Sequence, residues 1–200
     1  MYTNFIYLLI IGYLLGSIPF GFLISKLKSI DIRKVGSGNI GATNVSRAIG
    51  FRWFFVVAFL DALKGAIPVI LAKNYLFVDW QIMLVAIVTI LGHIFPVWLK
   101  FRGGKGVSTS AGVLLALLGW KFFASLILIW LLVLYIFKMV SLASLISSLF
   151  LPIILWMIFF SALSLVFGFF LVVLIFWAHR GNIARIKAGT ERKIGPKPNQ

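Results

Sequence analysis

The segment 36–47 combines the backbone and side chains that bind an anion. It reads Gly-Ser-Gly-Asn-Ile-Gly-Ala-Thr-Asn-Val-Ser-Arg, with three glycines, two asparagines, three hydroxyl side chains and one arginine. Glycines at this density let backbone amides approach a ligand closely, and the segment has no carboxylate to repel an anion. The pattern favours a phosphate site, while a polar turn between two membrane helices stays an open alternative.

A second polar segment, 101–110, has glycines on both sides of a lysine. It reads Phe-Arg-Gly-Gly-Lys-Gly-Val-Ser-Thr-Ser. Glycine amides and the Lys105 ammonium resemble a phosphate-cradling loop, and a helix starting near Val107 adds its positive end. The spacing is not that of a Walker A loop, since Gly106 stands where a Ser or Thr would bind magnesium. ATP hydrolysis is therefore excluded, and a flexible basic loop is the alternative interpretation.

A third polar segment starts at His179 and reads His-Arg-Gly-Asn. Asn182 follows His179 by three residues, so the two share one face if the last helix continues. A histidine at a membrane boundary is often only a polar helix cap, but we favour a site role because two phosphate-binding patterns are expected on the same side. Glu191 follows and is expected to pair with an arginine.

The composition predicts an all-α integral membrane protein. The chain is 62% hydrophobic and 12% charged, with a mean hydropathy of +1.11, which leaves too little polar surface for a soluble globule. The net charge of +15 comes from Lys and Arg in short loops, the bias of cytoplasmic loops, so we expect no nucleic-acid partner. Without cysteine, thiolate catalysis is excluded, and we expect no metal and no cofactor.

Hydrophobic runs predict about seven transmembrane helices in a single multi-pass domain, 1–200. The amino terminus is expected outside and the carboxyl terminus in the cytoplasm, because nearly all Lys and Arg then lie inside. A five-span arrangement is the alternative and requires re-entrant middle helices. The predicted spans are about 3–27, 53–71, 80–99, two short helices within 107–137 that meet around Gly119 to Lys121, 139–156 and 163–178.

The second predicted span contains two ionisable residues, Asp61 and Lys64, three positions apart. This spacing places them on one helix face, where they can pair. Ionisable groups inside a membrane span are costly and usually face the bundle interior. A structural ion pair is one interpretation; the other is that Lys64 also adds positive potential to a nearby site.

Together, these segments resemble the signature motifs of the bacterial acyl-phosphate:glycerol-3-phosphate acyltransferases, the PlsY family. The resemblance extends over essentially the whole chain. It implies transfer of an acyl chain from acyl phosphate to the 1-hydroxyl of sn-glycerol 3-phosphate, giving lysophosphatidate and phosphate, as the first step of phospholipid synthesis on the cytoplasmic side of a bacterial plasma membrane. The matching stretches are 37–47, Gly92-His93 through Lys105-Gly106, His179-Arg180-Gly181-Asn182-Ile183, Gly189-Thr190-Glu191 and Asp61-Ala-Leu-Lys64-Gly65.

The resemblance also implies roles for individual residues. Its partners are acyl phosphate, glycerol 3-phosphate and the bilayer, and we expect a monomer. The catalytic candidates are Ser37, Arg47, Lys105, His179 and Asn182, with Asp61, Lys64 and Glu191 as structural residues. Further phosphate contacts are expected from Gly38, Asn39, Gly41, Thr43, Asn44, Gly103, Gly104, Gly106 and Ser108.

The His-x4-Asp pair of other glycerolipid acyltransferases is absent. Trp98 lies five residues beyond His93, and Ala184 lies five beyond His179. Since acyl phosphate is already a reactive mixed anhydride, the protein mainly holds two anions together and stabilises charge. A phosphate with a second pKa of about 6 can accept the hydroxyl proton itself, which predicts substrate-assisted catalysis. A transporter or exchanger of small phosphorylated anions is the alternative, disfavoured because the polar segments lie on one side.

We expect Lys105→Ala to lose activity at low glycerol 3-phosphate concentration, because the variant lacks an ammonium that binds phosphate. The measurement is acyl transfer by the purified protein over a range of glycerol 3-phosphate concentrations. Full activity at low concentration would contradict the assignment of Lys105.

Overall fold

A computed structural model describes residues 2–194, and it is built from α-helices. Two short 3-10 turns, Ile32–Lys34 and Val97–Leu99, lie in the connections between helices. Lys197 and the carboxyl terminus, which the sequence predicts to be cytoplasmic, lie outside the described residues. The helices are α1 Tyr2–Ser17, α2 Phe20–Leu27, α3 Ala42–Ile49, α4 Arg52–Tyr75, α5 Asp79–Ile94, α6 Val107–Phe137, α7 Val140–Ser148, α8 Leu151–Phe159, α9 Ala162–Ala178 and α10 Arg180–Lys187.

The predicted all-α membrane fold is confirmed, but the count of seven helices is not. Within the described residues, five helical stretches are long and apolar enough to cross a membrane, and the pair α9–α10, bent by 64°, makes a sixth if it is one span. These five are Thr3–Leu27, Arg52–Tyr75, Asp79–Leu99, Val107–Phe137 and Val140–Phe159. Which side of the membrane each loop faces stays a prediction.

The difference from seven arises within α6. The sequence predicts two short helices here that meet at a polar turn. The structure has two helical segments that meet at Gly119, where φ is 75° and ψ is 169°, and together they form one of the five apolar stretches. Glycine adopts a positive φ without a steric penalty. The predicted break around Gly119 is therefore present, and the division of this stretch into two spans stays a prediction.

The chain forms two compact units, one up to Leu117 and one from Leu118 onward. The expectation of one domain stays a prediction. In the first unit, α1 and α5 pack with their backbones in contact: a Cβ at Gly16 would collide with the carbonyl group of Thr89, and one at Gly92 would collide with the carbonyl oxygen of Tyr13. Small residues allow such approach between membrane helices.

Glycines also join the other elements of the first unit. A Cβ at Gly65 of α4 would collide with the Thr109 carbonyl of α6, and one at Gly112 would collide with Ala62. Gly21 of α2 lies against the carbonyl of Ile40 in the loop before α3. The loop before α3 is therefore packed against α2, and α4 is packed against α6, at distances that glycine allows.

The second unit is organised around α8 and α9. Gly168 of α9 lies against the backbone of Pro152 at the start of α8. The Ser161 hydroxyl accepts a hydrogen bond from the Ser164 amide at 3.2 Å and caps the first turn of α9. Trp130 of α6 donates its indole N–H to the Ser144 hydroxyl of α7 at 3.2 Å, so the polar atoms of this apolar unit are paired.

We expect Gly16→Ala to lower the thermal stability of the protein in detergent, because α1 and α5 must separate to admit the methyl group. Overpacking of this kind costs about 1–3 kcal/mol. Gly181→Ala is the control, since Gly181 is exposed and the nearest atom to its Cβ, a guanidinium nitrogen of Arg185, is 3.7 Å away. Equal melting temperatures of the two variants would contradict the packing argument.

Candidate functional site

The first loop, residues 28–41, contains one acid, Asp31, which a neighbouring arginine neutralises. The Arg33 side chain donates to both carboxylate oxygens of Asp31 at 2.9 Å. The Asp31 carboxylate also accepts from the Arg33 amide at 3.2 Å. These hydrogen bonds outweigh a small cost of desolvation and lower the pKa of Asp31 to about 2. The remaining cations of the loop are therefore not offset by a local carboxylate.

Asn44 holds the first loop closed. Its side chain is buried, with 2% exposure. The Oδ1 atom accepts from the Ser37 amide at 2.9 Å, and Nδ2 donates to the carbonyls of Val35 at 2.9 Å and Ile32 at 3.3 Å. The side chain of Asn44 bonds the loop backbone through both of its polar atoms, so it shapes the loop, and its contact with phosphate stays a prediction.

Several amides of the glycine-rich segment also donate within the loop. The Gly38 amide bonds the Val35 carbonyl at 3.0 Å, and the Gly41 amide bonds the Asn39 carboxamide at 2.8 Å. The Asn39 amide lies 3.4 Å from the Ser37 hydroxyl oxygen. The predicted phosphate contacts of Gly38, Asn39 and Gly41 therefore do not come from amides that are available in this conformation.

The donors that remain lie at the start of α3. The amides of Ala42 and Thr43 have no acceptor among the described residues, as expected for the first turn of a helix. Ser37 before this turn and Arg47 within α3 are both exposed. This corner can bind an anion through two amides and a hydroxyl group, and Arg47 lies in the last turn of the same helix. The sequence pattern indicated the segment but not the Ala42 amide, because alanine has no polar side chain.

The glycines of the second loop, residues 101–106, pack against the end of α5. The Gly103 amide donates to the Ile94 carbonyl, and the Gly104 amide donates to the His93 carbonyl, each at 3.1 Å. A Cβ at Gly103 would collide with these carbonyls, and one at Gly104 would collide with the His93 ring. Both glycines are thus required by packing, and their contact with phosphate stays a prediction.

The rest of the second loop leads into α6. Gly106 has a φ of +78°, which favours glycine, and its carbonyl accepts the Ser110 amide at 2.7 Å. Lys105 and Ser108 are half-buried on either side of this turn. Lys105 therefore lies next to the amino-terminal end of a long helix, where an anion is favoured.

The predicted pair of Asp61 and Lys64 is confirmed. Lys64 Nζ lies 2.8 Å from Asp61 Oδ1, and each side chain is 3% exposed. The ammonium also donates to the Ile18 carbonyl at 2.6 Å. His93 adds a third member, with Nδ1 3.6 Å from the same carboxylate oxygen. This third member was not predicted from the sequence, although a histidine inside an apolar span is a signal for it.

In the second unit, His179 is where the helix bends between α9 and α10. The ring is buried, with 1% exposure, and Nδ1 lies 2.8 Å from the Ile175 carbonyl. A carbonyl only accepts, so the proton of the neutral ring is on Nδ1 and Nε2 is the acceptor. The amide of Asn182 bonds the His179 carbonyl at 2.8 Å, so the bend keeps these two residues in one turn.

Glu191 holds the Asn182 side chain in one orientation. The Asn182 carboxamide nitrogen donates to Glu191 Oε1 at 2.6 Å, which leaves Asn182 Oδ1 as the acceptor. Ser141 donates to the same oxygen at 2.7 Å, and Arg185 donates to Oε2 at 2.8 Å. Burial alone raises the pKa of Glu191, but these three hydrogen bonds outweigh it, so the pKa is lowered. Pairing with an arginine was predicted; the bonds from Asn182 and Ser141 were not.

The candidate residues are therefore distributed over both units. Ser37, Arg47 and Lys105 belong to the first unit, and His179 and Asn182 belong to the second. Their convergence on one site stays a prediction. Within residues 2–194, no group of three His, Asp or Glu side chains is arranged to hold a metal ion.

The sequence is similar to known bacterial enzymes over nearly its whole length. A family model described as glycerol-3-phosphate acyltransferase matches residues 6–189. The glycerol-3-phosphate acyltransferase of Rhodopseudomonas palustris strain HaA2 is 45% identical over 190 residues, covering 94% of this chain and 95% of the relative. A relative of the same name from Thermus thermophilus is 44% identical over 202 residues, covering 98% of each chain.

Two crystal structures of PlsY, an integral membrane glycerol 3-phosphate acyltransferase, have similar folds. The glycerol 3-phosphate form has a TM-score of 0.90 and 40% identity, covering 96% of each chain. The lysophosphatidic acid form has a TM-score of 0.87 and 38% identity, covering 96% of this chain and 95% of the other.

We expect Glu191→Gln to destabilise the protein, because an amide presents a donor where three donors converge. The pKa of Glu191 lies below its ordinary 4.5. Its stabilising contribution is therefore full above about 4.5 and is lost as the pH falls through the folded-state pKa. The difference in melting temperature from the unsubstituted protein should be large at neutral pH and shrink as the solution is made more acidic. Thr190→Ala is the control, and a pH-independent difference would contradict the role of the charge.

Proposed function

The chain belongs to the glycerol-3-phosphate acyltransferase family, membrane enzymes of phospholipid synthesis, and from this premise we propose that its acyl donor is acyl phosphate. In the reaction, the 1-hydroxyl oxygen of sn-glycerol 3-phosphate attacks the acyl carbonyl carbon. The bond between that carbon and the phosphate oxygen breaks, giving lysophosphatidate and inorganic phosphate. The two crystal forms of PlsY are consistent with this acceptor and product, which differ by one acyl group.

The observation that carries the proposal is the corner at the start of α3. Two backbone amides and the Ser37 hydroxyl group lie at this corner without a nearby unpaired carboxylate, because Arg33 engages Asp31. Arg47 adds a cation in the last turn of the same helix. Preorganised donors of this kind stabilise negative charge that develops in a transition state. Lys105, at the amino-terminal end of α6, supplies a second cation for a second phosphate.

We propose that His179 and Asn182 orient a substrate and do not act as an obligatory base. The Ile175 carbonyl engages Nδ1 of His179, and Glu191 engages the carboxamide nitrogen of Asn182, so each side chain is held in one orientation. The proton of the attacking hydroxyl group passes to the departing phosphate, whose second pKa of about 6 suits it for this role.

This assignment places the reaction on the cytoplasmic face of the bacterial plasma membrane, where the basic loops are expected. The proposed reaction uses no cofactor, because the mixed anhydride of acyl phosphate supplies its driving force. The acyl chain stays in the bilayer, while the acyl phosphate group and glycerol 3-phosphate reach the polar loops.

The test is to incubate the purified protein in detergent with palmitoyl phosphate and glycerol 3-phosphate. We expect phosphate release that depends on glycerol 3-phosphate, with lysophosphatidate as the product. Failure of release, together with uptake of glycerol 3-phosphate into vesicles that contain the protein, would favour a carrier of phosphorylated anions instead.

Two matched pairs of variants test the corner at α3. Loss of a donor to developing charge should lower kcat by a factor on the order of 100–1,000. We expect this for Ser37→Ala and Arg47→Gln. Ser46→Ala and Arg52→Gln are the controls, because the Ser46 hydroxyl bonds the Thr43 carbonyl at 3.1 Å and Arg52 lies over the Trp53 ring. Equal losses of kcat in a control variant and in its matched site variant would contradict the assignment of Ser37 or Arg47.

A further inference from the structure

We propose that His93 is a positioning residue for Lys105, and that the buried Asp61–Lys64 pair acts on the second loop through the His93 ring. The inference rests on the proposed function, in which Lys105 binds a substrate phosphate. His93 itself lies inside α5 and is 4% exposed, so it acts through the loop. His93 is distinct from His179, the histidine of the third polar segment.

The His93 ring lies between a charged pair and a loop. On one side, Nδ1 faces the Asp61 carboxylate at 3.6 Å. On the other, the ring fills the space that a side chain at residue 104 would need, with Nε2 nearest to the position of that Cβ. The His93 carbonyl also accepts the Gly104 amide at 3.1 Å. One residue therefore contacts both α4 and the second loop.

The loop around Lys105 has little freedom once His93 is in place. Gly103 is tied to the Ile94 carbonyl, and Gly104 is enclosed by the ring and backbone of His93. After the lysine, Gly106 has its left-handed φ and starts α6 through the Ser110 hydrogen bond. The backbone of Lys105 is thus fixed on both sides, and this backbone sets the direction of its Cα–Cβ bond.

The Asp61–Lys64 pair keeps the ring in position. Asp61 is held by Lys64, which is itself held by the Ile18 carbonyl at the break between α1 and α2. A carboxylate fixed in this way gives the His93 ring one preferred orientation in an otherwise apolar helix. The pair therefore has a role beyond helix packing.

The first experiment is a double-mutant cycle with His93→Ala and Lys105→Ala. We expect His93→Ala to raise the KM of the same substrate that Lys105→Ala affects, by about tenfold, with a smaller change in kcat. In the Lys105→Ala background, His93→Ala should have no further effect, because the group that it positions is gone. Multiplicative effects, or a change in the KM of the other substrate, would overturn the proposal.

A core variant of the same helix is the control. Val85 of α5 is buried and belongs to a cluster with Phe5, Leu8, Ala72 and Leu76. Val85→Ala should lower the melting temperature without raising either KM. If it raises the KM as His93→Ala does, the effect of His93 is only one of stability, and the proposal fails.

A second cycle tests the contact from the loop side. Gly104→Ala should lose activity, because its methyl group collides with the His93 ring. The double variant His93→Ala with Gly104→Ala should then recover the activity of His93→Ala alone, since the obstructing ring atoms are absent. A double variant that is worse than either single variant would contradict the contact. The melting temperatures of the same variants are also measured. If Gly104→Ala folds poorly, recovery of the melting temperature in the double variant tests the same contact.

Binding of glycerol 3-phosphate and of inorganic phosphate, measured by calorimetry without acyl donor, separates this inference from the proposed function. If the unsubstituted protein does not transfer an acyl group, the proposed donor is wrong, and the binding cycle still decides the role of His93. If transfer is normal and His93→Ala does not weaken binding of either anion, the positioning role alone is wrong.

Discussion

The first unit depends on the ion pair between Asp61 and Lys64. Two charges inside an apolar helix bundle lose their hydration, so each needs a partner with good geometry. Lys64 has both the carboxylate and the Ile18 carbonyl. Removal of one partner from such a pair leaves an uncompensated buried charge, which typically costs about 3–5 kcal/mol. Because the ring of His93 shares the same carboxylate, this one interaction joins α4, α5 and the break after α1.

Glycine has two different uses in this protein. In the helices, Gly16, Gly65 and Gly92 let backbones touch where any Cβ would collide. In the second loop, Gly104 lies against the His93 ring, and its amide is already bonded. A glycine-rich loop next to a lysine suggests amides that face a phosphate, yet here the glycines allow the loop to pack closely on α5. The lysine and the helix end after it then provide the charge.

In the second unit, the carboxylate of Glu191 holds neighbouring side chains in place. Glu191 accepts from Asn182, Ser141 and Arg185, so one carboxylate orders the turn after α10 and sets the direction of a carboxamide. Of the four acids in the chain, Asp31, Asp61 and Glu191 each lie against a cation. These three acids of a basic protein thus serve to fix its structure.

The sequence alone predicts the all-α membrane fold, the polar segments, the break around Gly119, the pairing of Asp61 with Lys64 and the pairing of Glu191 with an arginine. These features follow from hydropathy and local spacing, which act over one or two helical turns. The contacts of the Asn44 side chain with its own loop, and of His93 with Asp61 and Gly104, appear only in the folded structure. Such contacts depend on which backbone segment lies opposite a residue, and neither hydropathy nor local spacing specifies that segment.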